Sequence, residues 1–206
     1  MRAFEMAASM PWLVEASWLE TILAIAAREN ETVEAVEARL RRKLDNTYSV
    51  RVRDRVAVIP VNGVIFRRAS LFSMISGGAS TELLARDFTS ALEDSSIRAI
   101  VFDIDSPGGE AFGIPEFADM IHAARGQKPI GAYIGGAGCS AAYWIASACD
   151  QVVCDQGAIT GSIGVVMAMR AGKNEKEVEF VSSQSPKKRP DVETEAGREQ
   201  VQTIVD

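Results

Sequence analysis

Ser140 stands in "GGAGCSAAYWIASACD", residues 135 to 150, where three glycines and five alanines leave the main chain bare around its hydroxyl. A serine hydroxyl becomes a useful nucleophile when a nearby base takes its proton and fixed donors receive the oxyanion formed at the attacked carbonyl. Bare backbone supplies such donors, because its N–H groups can be approached closely. The pattern predicts that Ser140 opens a helix directly after a strand, which puts the N–H of Ala141 at a helix N-terminus where negative charge is stabilised. The plainer reading is a helix N-cap, a role serine often takes. A base within reach separates the two.

About thirty residues earlier, "DSPGGE" places Gly108 and Gly109 at the end of an apolar run. A Ser-Pro-Gly-Gly turn at the C-terminal end of a strand aims N–H groups into the crevice where α/β sheets bind ligands, so the pair is a candidate oxyanion hole. Taken alone it is also a simple tight turn. His122 is the single histidine and lies within the apolar-periodic stretch "IPEFADMIHAAR", on a helix expected outside the sheet. That leaves lysine, which can act as a base when burial keeps it neutral. "SSQSPKKRPD" offers Lys187 and Lys188, and in extended chain only one of two neighbours faces a given side.

Other chemistry finds less support. Cys139, Cys149 and Cys154 are odd in number and lack metal-ligand spacing, so neither a disulfide framework nor a metal site is expected, and a reducing cytoplasm fits. Cys139 adjoins Ser140 but is expected to point into the core as a small apolar residue. No metal or organic cofactor is called for. The net charge of −6 argues against general nucleic-acid binding, which needs clustered Lys and Arg. The apolar run "MPWLVEASWLETILAIAAR" is interrupted by Glu15 and Glu20, so neither a membrane span nor a signal peptide is read there.

The elements that must position these residues fall in two regions. Residues 11 to 44 read as two helices, the second being "ETVEAVEARLRRKLDN", and residues 1–50 are expected to form an N-terminal helical extension. From residue 51 to 206 short apolar runs alternate with amphipathic segments. "RVAVIPVNGVIF" reads as strand, turn and strand, and "STELLARDFTSALEDS" as a helix. "IRAIVFDID" reads as a buried strand, and "IPEFADMIHAAR" as a helix opened by Pro115. Strand "PIGAYIG", helix "SAAYWIASA" and strands "QVVCD", "GSIGVVMA" and "VEFVS" follow. The alternation implies crossover units and a largely parallel sheet, an α/β fold. The chain stops at "QTIVD" inside an amphipathic pattern, so a further C-terminal element is expected.

"DSPGGE", "GCSAAYWIASA" and "AITGSIGVV", in this order and spacing, resemble the signal peptide peptidase A family of serine proteases and the phage-head proteases related to it. The resemblance covers roughly residues 55 to 206. It implies a fold similar to Clp protease and crotonase, built of stacked β-β-α units, and a Ser-Lys dyad. It puts the nucleophile at Ser140, the oxyanion turn at Gly108 and Gly109, and a lysine-orienting serine at Ser162. The base is placed in the segment after "VEFVS", at Lys188, with Lys187 as the alternative. The loop "SSQSPKKRPDV" departs from the Ser-Gly-rich loop of the bacterial enzymes. That difference and the missing anchor favour the phage capsid branch, whose members digest scaffold or head proteins. A homo-oligomer is implied as well.

Two other readings stay open: a crotonase-like acyl-CoA hydratase or hydrolase using Glu110 or Glu116 as base, and a catalytically silent capsid or scaffold-interaction protein. For a peptidase, the substrate is expected to bind as an extended strand against Gly109 to Phe112, with small apolar side chains near the nucleophile.

Overall fold

Alternation of buried and half-buried residues along Val56–Asn62 (β3) and Ala99–Ser106 (β6) marks strands with one face on a core, and these two pair in parallel from Val56↔Ala99 to Asn62↔Asp105. The computed structural model describes residues 12–14, 50–69, 78–171 and 176–205. Arg51–Arg53 (β2) lies antiparallel on the outer side of β3, and Ile130–Cys139 (β8) lies parallel to β6. The outer edge of β8 is long enough for two strands in succession. Gln151–Cys154 (β9) pairs with its first half and Ile159–Gly161 (β10) with its end.

A second sheet runs in the order β12, β11, β1, β7, β4, β5. Its members are Trp12–Val14 (β1), Ile65–Phe66 (β4), Ala79–Ser80 (β5), Gly108–Glu110 (β7), Val166–Ala171 (β11) and Lys176–Val181 (β12). Most are short. β4, β7 and β11 are the pieces of chain that leave the C-terminal ends of β3, β6 and β10, so the second sheet forms at the edge where an α/β sheet presents its ligand crevice.

Thr81–Glu93 (α1) starts where Ser80 Oγ accepts the N–H of Leu83 at 3.3 Å. Ile114–Ala123 (α2) starts after Gly113, whose φ of 87° suits glycine, with Pro115 in the first turn. Ala141–Ser147 (α3) and Glu195–Val205 (α4) complete the helices. The main core lies between the central sheet and α1 to α3. Phe88, Phe102 and Phe117 tie α1, β6 and α2 together, with ring centroids 5.8 to 6.3 Å apart, one pair stacked and two edge-on.

The α/β class and the order of strands and helices after residue 55 follow the sequence pattern. Three differences stand out. Trp12–Val14, read as part of a helix, is a strand: ladder bonds to two neighbours outweigh the helical periodicity of a short Trp-Leu-Val run. The remainder of the expected N-terminal helices lies outside the described residues. "GSIGVVMA" is not one strand, because positive φ at Gly161, Ser162 and Gly164 (107°, 51° and 126°) turns the chain away from the extended course. The chain leaves the central sheet at Gly161 and enters the second at Val166. "DSPGGE", read as a turn, contains the short strand β7.

Candidate active site

Ser140 joins β8 to α3 with φ 55° and ψ −114°, a conformation that costs a non-glycine residue about 1–3 kcal/mol. It is held by its neighbours. Its N–H donates to the carbonyl of Gly161 at 2.6 Å, and its carbonyl accepts the N–H of Trp144 at 3.0 Å. Ala141, Ala142, Ile145 and Ala146 bury one face of α3, while Arg125 donates to the carbonyls of Ser147 and Ala148 at 2.9 and 2.8 Å and so braces the helix C-terminus. The hydroxyl of Ser140 makes no capping bond to α3, so the N-cap reading does not describe its side chain.

The bareness of "GGAGCS" has a steric reason. A Cβ on Gly138 would come within 2.5 Å of the Ile134 side chain, and one on Gly136 within 2.5 Å of Asp105 Oδ1. Asp105 is thereby free to accept the N–H of Ala137 at 2.9 Å, which fixes the end of β8 against β6.

Lys188 ends a short 3-10 turn, Pro186–Lys188, and is buried, whereas Lys187 is exposed. The two were expected to diverge through strand alternation. They diverge instead because a 3-10 turn rotates successive residues by about 120°. Lys188 Nζ donates to Ser140 Oγ at 2.9 Å, to Ser162 Oγ at 3.0 Å, and to the carbonyl of Ser162. Ser162 reaches the amine from both main chain and side chain because its φ is positive. Gly164 lets the 3-10 turn close in, since a Cβ there would lie 2.5 Å from Ser185 Cβ.

The helix that Ser140 opens, α3, packs on β7. The two glycines of β7 do different work. Gly108 has φ 105°, and its N–H donates to Ser106 Oγ at 3.1 Å. Gly109 has no room for a side chain, because a Cβ would lie 1.9 Å from the Ile65 carbonyl oxygen. Ser106, fully buried and donating to the Gly63 carbonyl at 2.6 Å, organises this turn and was missed by sequence reasoning. The signal was available in Ser-Pro-Gly-Gly, where a hydroxyl two residues before a turn N–H can accept from it.

His122 is exposed in the last turn of α2. Cys139 is buried, with Sγ 3.5 Å from the Ile159 carbonyl. Glu116 is exposed. Glu110 is buried on β7, where its carboxylate accepts the N–H of Arg67 at 2.8 Å; burial raises its pKa above the ordinary carboxylate value, and that hydrogen bond opposes the rise. Among the described residues no group of three or more His, Cys, Asp or Glu is placed to hold a metal ion, and no helix is long and apolar enough to cross a membrane.

Comparisons with known proteins find peptidases and phage capsid proteins among the similar sequences. Residues 122–184 match the family model of peptidase family S49. The chain is 40% identical over 118 residues to the head-tail preconnector protein GP5 of Enterobacteria phage P21, covering 57% of this chain and 24% of that protein. It is 35% identical over 120 residues to the capsid assembly protease C of Escherichia phage lambda, covering 58% and 27%. It is also 31% identical over 115 residues to Protease 4 of Haemophilus influenzae, covering 55% and 18%. The chain thus spans about a quarter or less of the length of these relatives. Among solved structures, a membrane-bound stomatin-specific protease with a substrate peptide aligns at 22% identity and a TM-score of 0.43, covering 61% of this chain and 51% of that one. An enoyl-CoA hydratase/isomerase family member aligns at 20% identity and 0.41, covering 55% and 48%.

Proposed function

We propose that this chain, with residues 122–184 assigned to peptidase family S49, is a serine endopeptidase that works through a dyad of Ser140 and Lys188. The observation that carries the reading is the 2.9 Å contact between Lys188 Nζ and Ser140 Oγ in a buried setting. The family match and the homologous phage capsid protease support a serine-peptidase role.

In the proposed reaction, neutral Lys188 takes the proton of Ser140 as Oγ attacks the scissile carbonyl. The N–H groups of Gly109 and Ala141 receive the oxyanion; Gly108 shapes the turn, its own N–H being bonded to Ser106. The lysinium protonates the leaving amine, and the restored amine then activates water to hydrolyse the acyl-enzyme. Burial disfavours a charged amine; the neutral amine donates its two hydrogens to the carbonyl and hydroxyl of Ser162, and its lone pair accepts the Ser140 O–H across the 2.9 Å contact. Ser162 aims the amine.

The relatives' names make scaffold or other head proteins the substrates to test first. A homo-oligomer fits the apolar residues left exposed at both outer edges, Val153 and Ile159 beside β8 and Met169 and Phe180 on β11 and β12. The acyl-CoA reading would require Glu110 or Glu116 as base. Glu110 is engaged with the Arg67 main chain and Glu116 faces solvent, so neither matches the position of Lys188. The test is hydrolysis of casein and of acyl-CoA by the same preparation. Casein cleavage that disappears in Ser140→Ala supports the proposal; acyl-CoA turnover without proteolysis contradicts it.

A further inference from the structure

β1 is three residues long and comes from a part of the sequence remote from everything it touches, yet it sits in the middle of the second sheet. It runs antiparallel to β7 on one side, in the register Trp12↔Glu110, Leu13↔Gly109 and Val14↔Gly108. On the other side it runs antiparallel to β11 through Trp12↔Val166. Among the described residues β7 and β11 are joined in this sheet through β1 alone. Without it the two strands border a slot one strand wide, roughly 10 Å from one to the other by the usual spacing. Both rims would then show unpaired main-chain donors and acceptors, a template for an extended peptide.

The slot borders both halves of the dyad. β7 carries Gly108 and Gly109 and packs against α3, which Ser140 opens. β11 follows the turn at Gly161 and Ser162, and the two oxygens of Ser162 hold Lys188. A peptide lying between β7 and β11 therefore crosses the nucleophile and its base. We propose that Trp12–Val14 occupies, in cis, the cleft in which this site takes its substrate. It follows that the substrate class is an extended apolar peptide running antiparallel to β7, for which Trp-Leu-Val is a resident competitor. The inference rests on the peptidase reading above. It adds what fills the cleft at rest and what must leave before substrate enters.

Sequence chemistry agrees with a displaceable occupant. Three apolar residues flanked by Pro11 and Glu15 form too short a strand to be stable on its own, so its attachment depends on the two rims. The glycines opposite Leu13 and Val14 provide main-chain contact without side chains, which makes the pairing tolerant of what the visiting peptide carries.

The test uses the full chain with Leu13→Pro and, separately, Val14→Pro, because proline removes a ladder donor. Steady-state cleavage of an apolar fluorogenic peptide is measured beside fluorophosphonate labelling of Ser140. If the segment closes the cleft nine-tenths of the time, KM falls by about tenfold in the variant that breaks the pairing. Amide exchange at residues 108 to 110 accelerates in the same variant. On the unaltered chain, a synthetic peptide of residues 10–16, "MPWLVEA", competes with substrate, and its Leu13→Pro version does not. An unchanged KM in both variants together with no competition by the peptide overturns the cis occupancy; retained labelling of Ser140 then shows that the dyad reading survives. Loss of labelling in the unaltered chain overturns the peptidase reading instead, and the inference with it.

Discussion

Lys188 Nζ stands 2.9 Å from Ser140 Oγ although 48 residues separate them in the chain. Two devices create the contact. Positive φ at Ser140 lifts its hydroxyl off the end of β8, and positive φ at Ser162 turns both of its oxygens toward the amine that the 3-10 turn delivers. Strain at two serines is kept because surrounding bonds over-determine it, the arrangement expected where geometry serves a reaction.

Ser162→Ala removes one of the two oxygens that aim Lys188 and leaves the carbonyl in place. The expected loss in kcat is about 10-fold, at the low end of the 10- to 1000-fold estimated for disturbing a general base, with KM little changed. Steady-state peptide hydrolysis checks it.

Gly109→Ala forces a methyl group into the Ile65 carbonyl, 1.9 Å away, so β4 or β7 must shift. We expect a loss of about 1–3 kcal/mol in stability, together with reduced activity. Denaturant unfolding measures the first and peptide hydrolysis the second. Gly126→Ala, where no atom lies within 4 Å but φ is 84°, calibrates the cost of positive φ alone.

The thiols should separate by reactivity. Burial pushes Cys149 up to about 12, and Cys139 is buried, whereas Cys154 is exposed. At neutral pH a maleimide should modify Cys154 in the folded chain and reach Cys139 and Cys149 only after denaturation. Peptide mapping by mass spectrometry reads the order.

Much of this was legible in advance because it is local. Strands β3, β6 and β8 announce themselves by apolar runs, and α1 and α2 by helical spacing with a serine cap and a Pro near the start. Ser140, Lys188 and Ser162 stood out through chemistry and resemblance. What was not legible depends on partners distant in sequence. Trp12–Val14 becomes a strand only because β7 and β11 flank it, and the break at Gly161 to Gly164 appears only once two sheets claim the flanking residues. The choice between Lys187 and Lys188 depended on a 3-10 turn that composition does not announce.

Glu110 gives a pH signature of stability. Burial raises its folded pKa above the ordinary 4.5, so its contribution is fully present below pH 4.5 and is lost as pH rises through the folded value. Glu110→Gln keeps an acceptor for the Arg67 N–H and has no charge to bury. Its Tm should exceed that of the unaltered chain at pH 7 and converge with it below about pH 4.5. Thermal melts across that range decide the matter.

The central claim is that Lys188 activates Ser140. The most direct measurement is the rate of fluorophosphonate labelling, with the modified residue located by mass spectrometry, in the unaltered chain and in Ser140→Ala, Lys188→Ala and Lys187→Ala. The account predicts labelling at Ser140 that speeds up with pH, because the neutral amine is the base. It predicts no labelling in Ser140→Ala, a fall of about 100-fold or more in Lys188→Ala, and a near-normal rate in Lys187→Ala. Labelling of Ser140 at full rate in Lys188→Ala, with the fold intact, would contradict it.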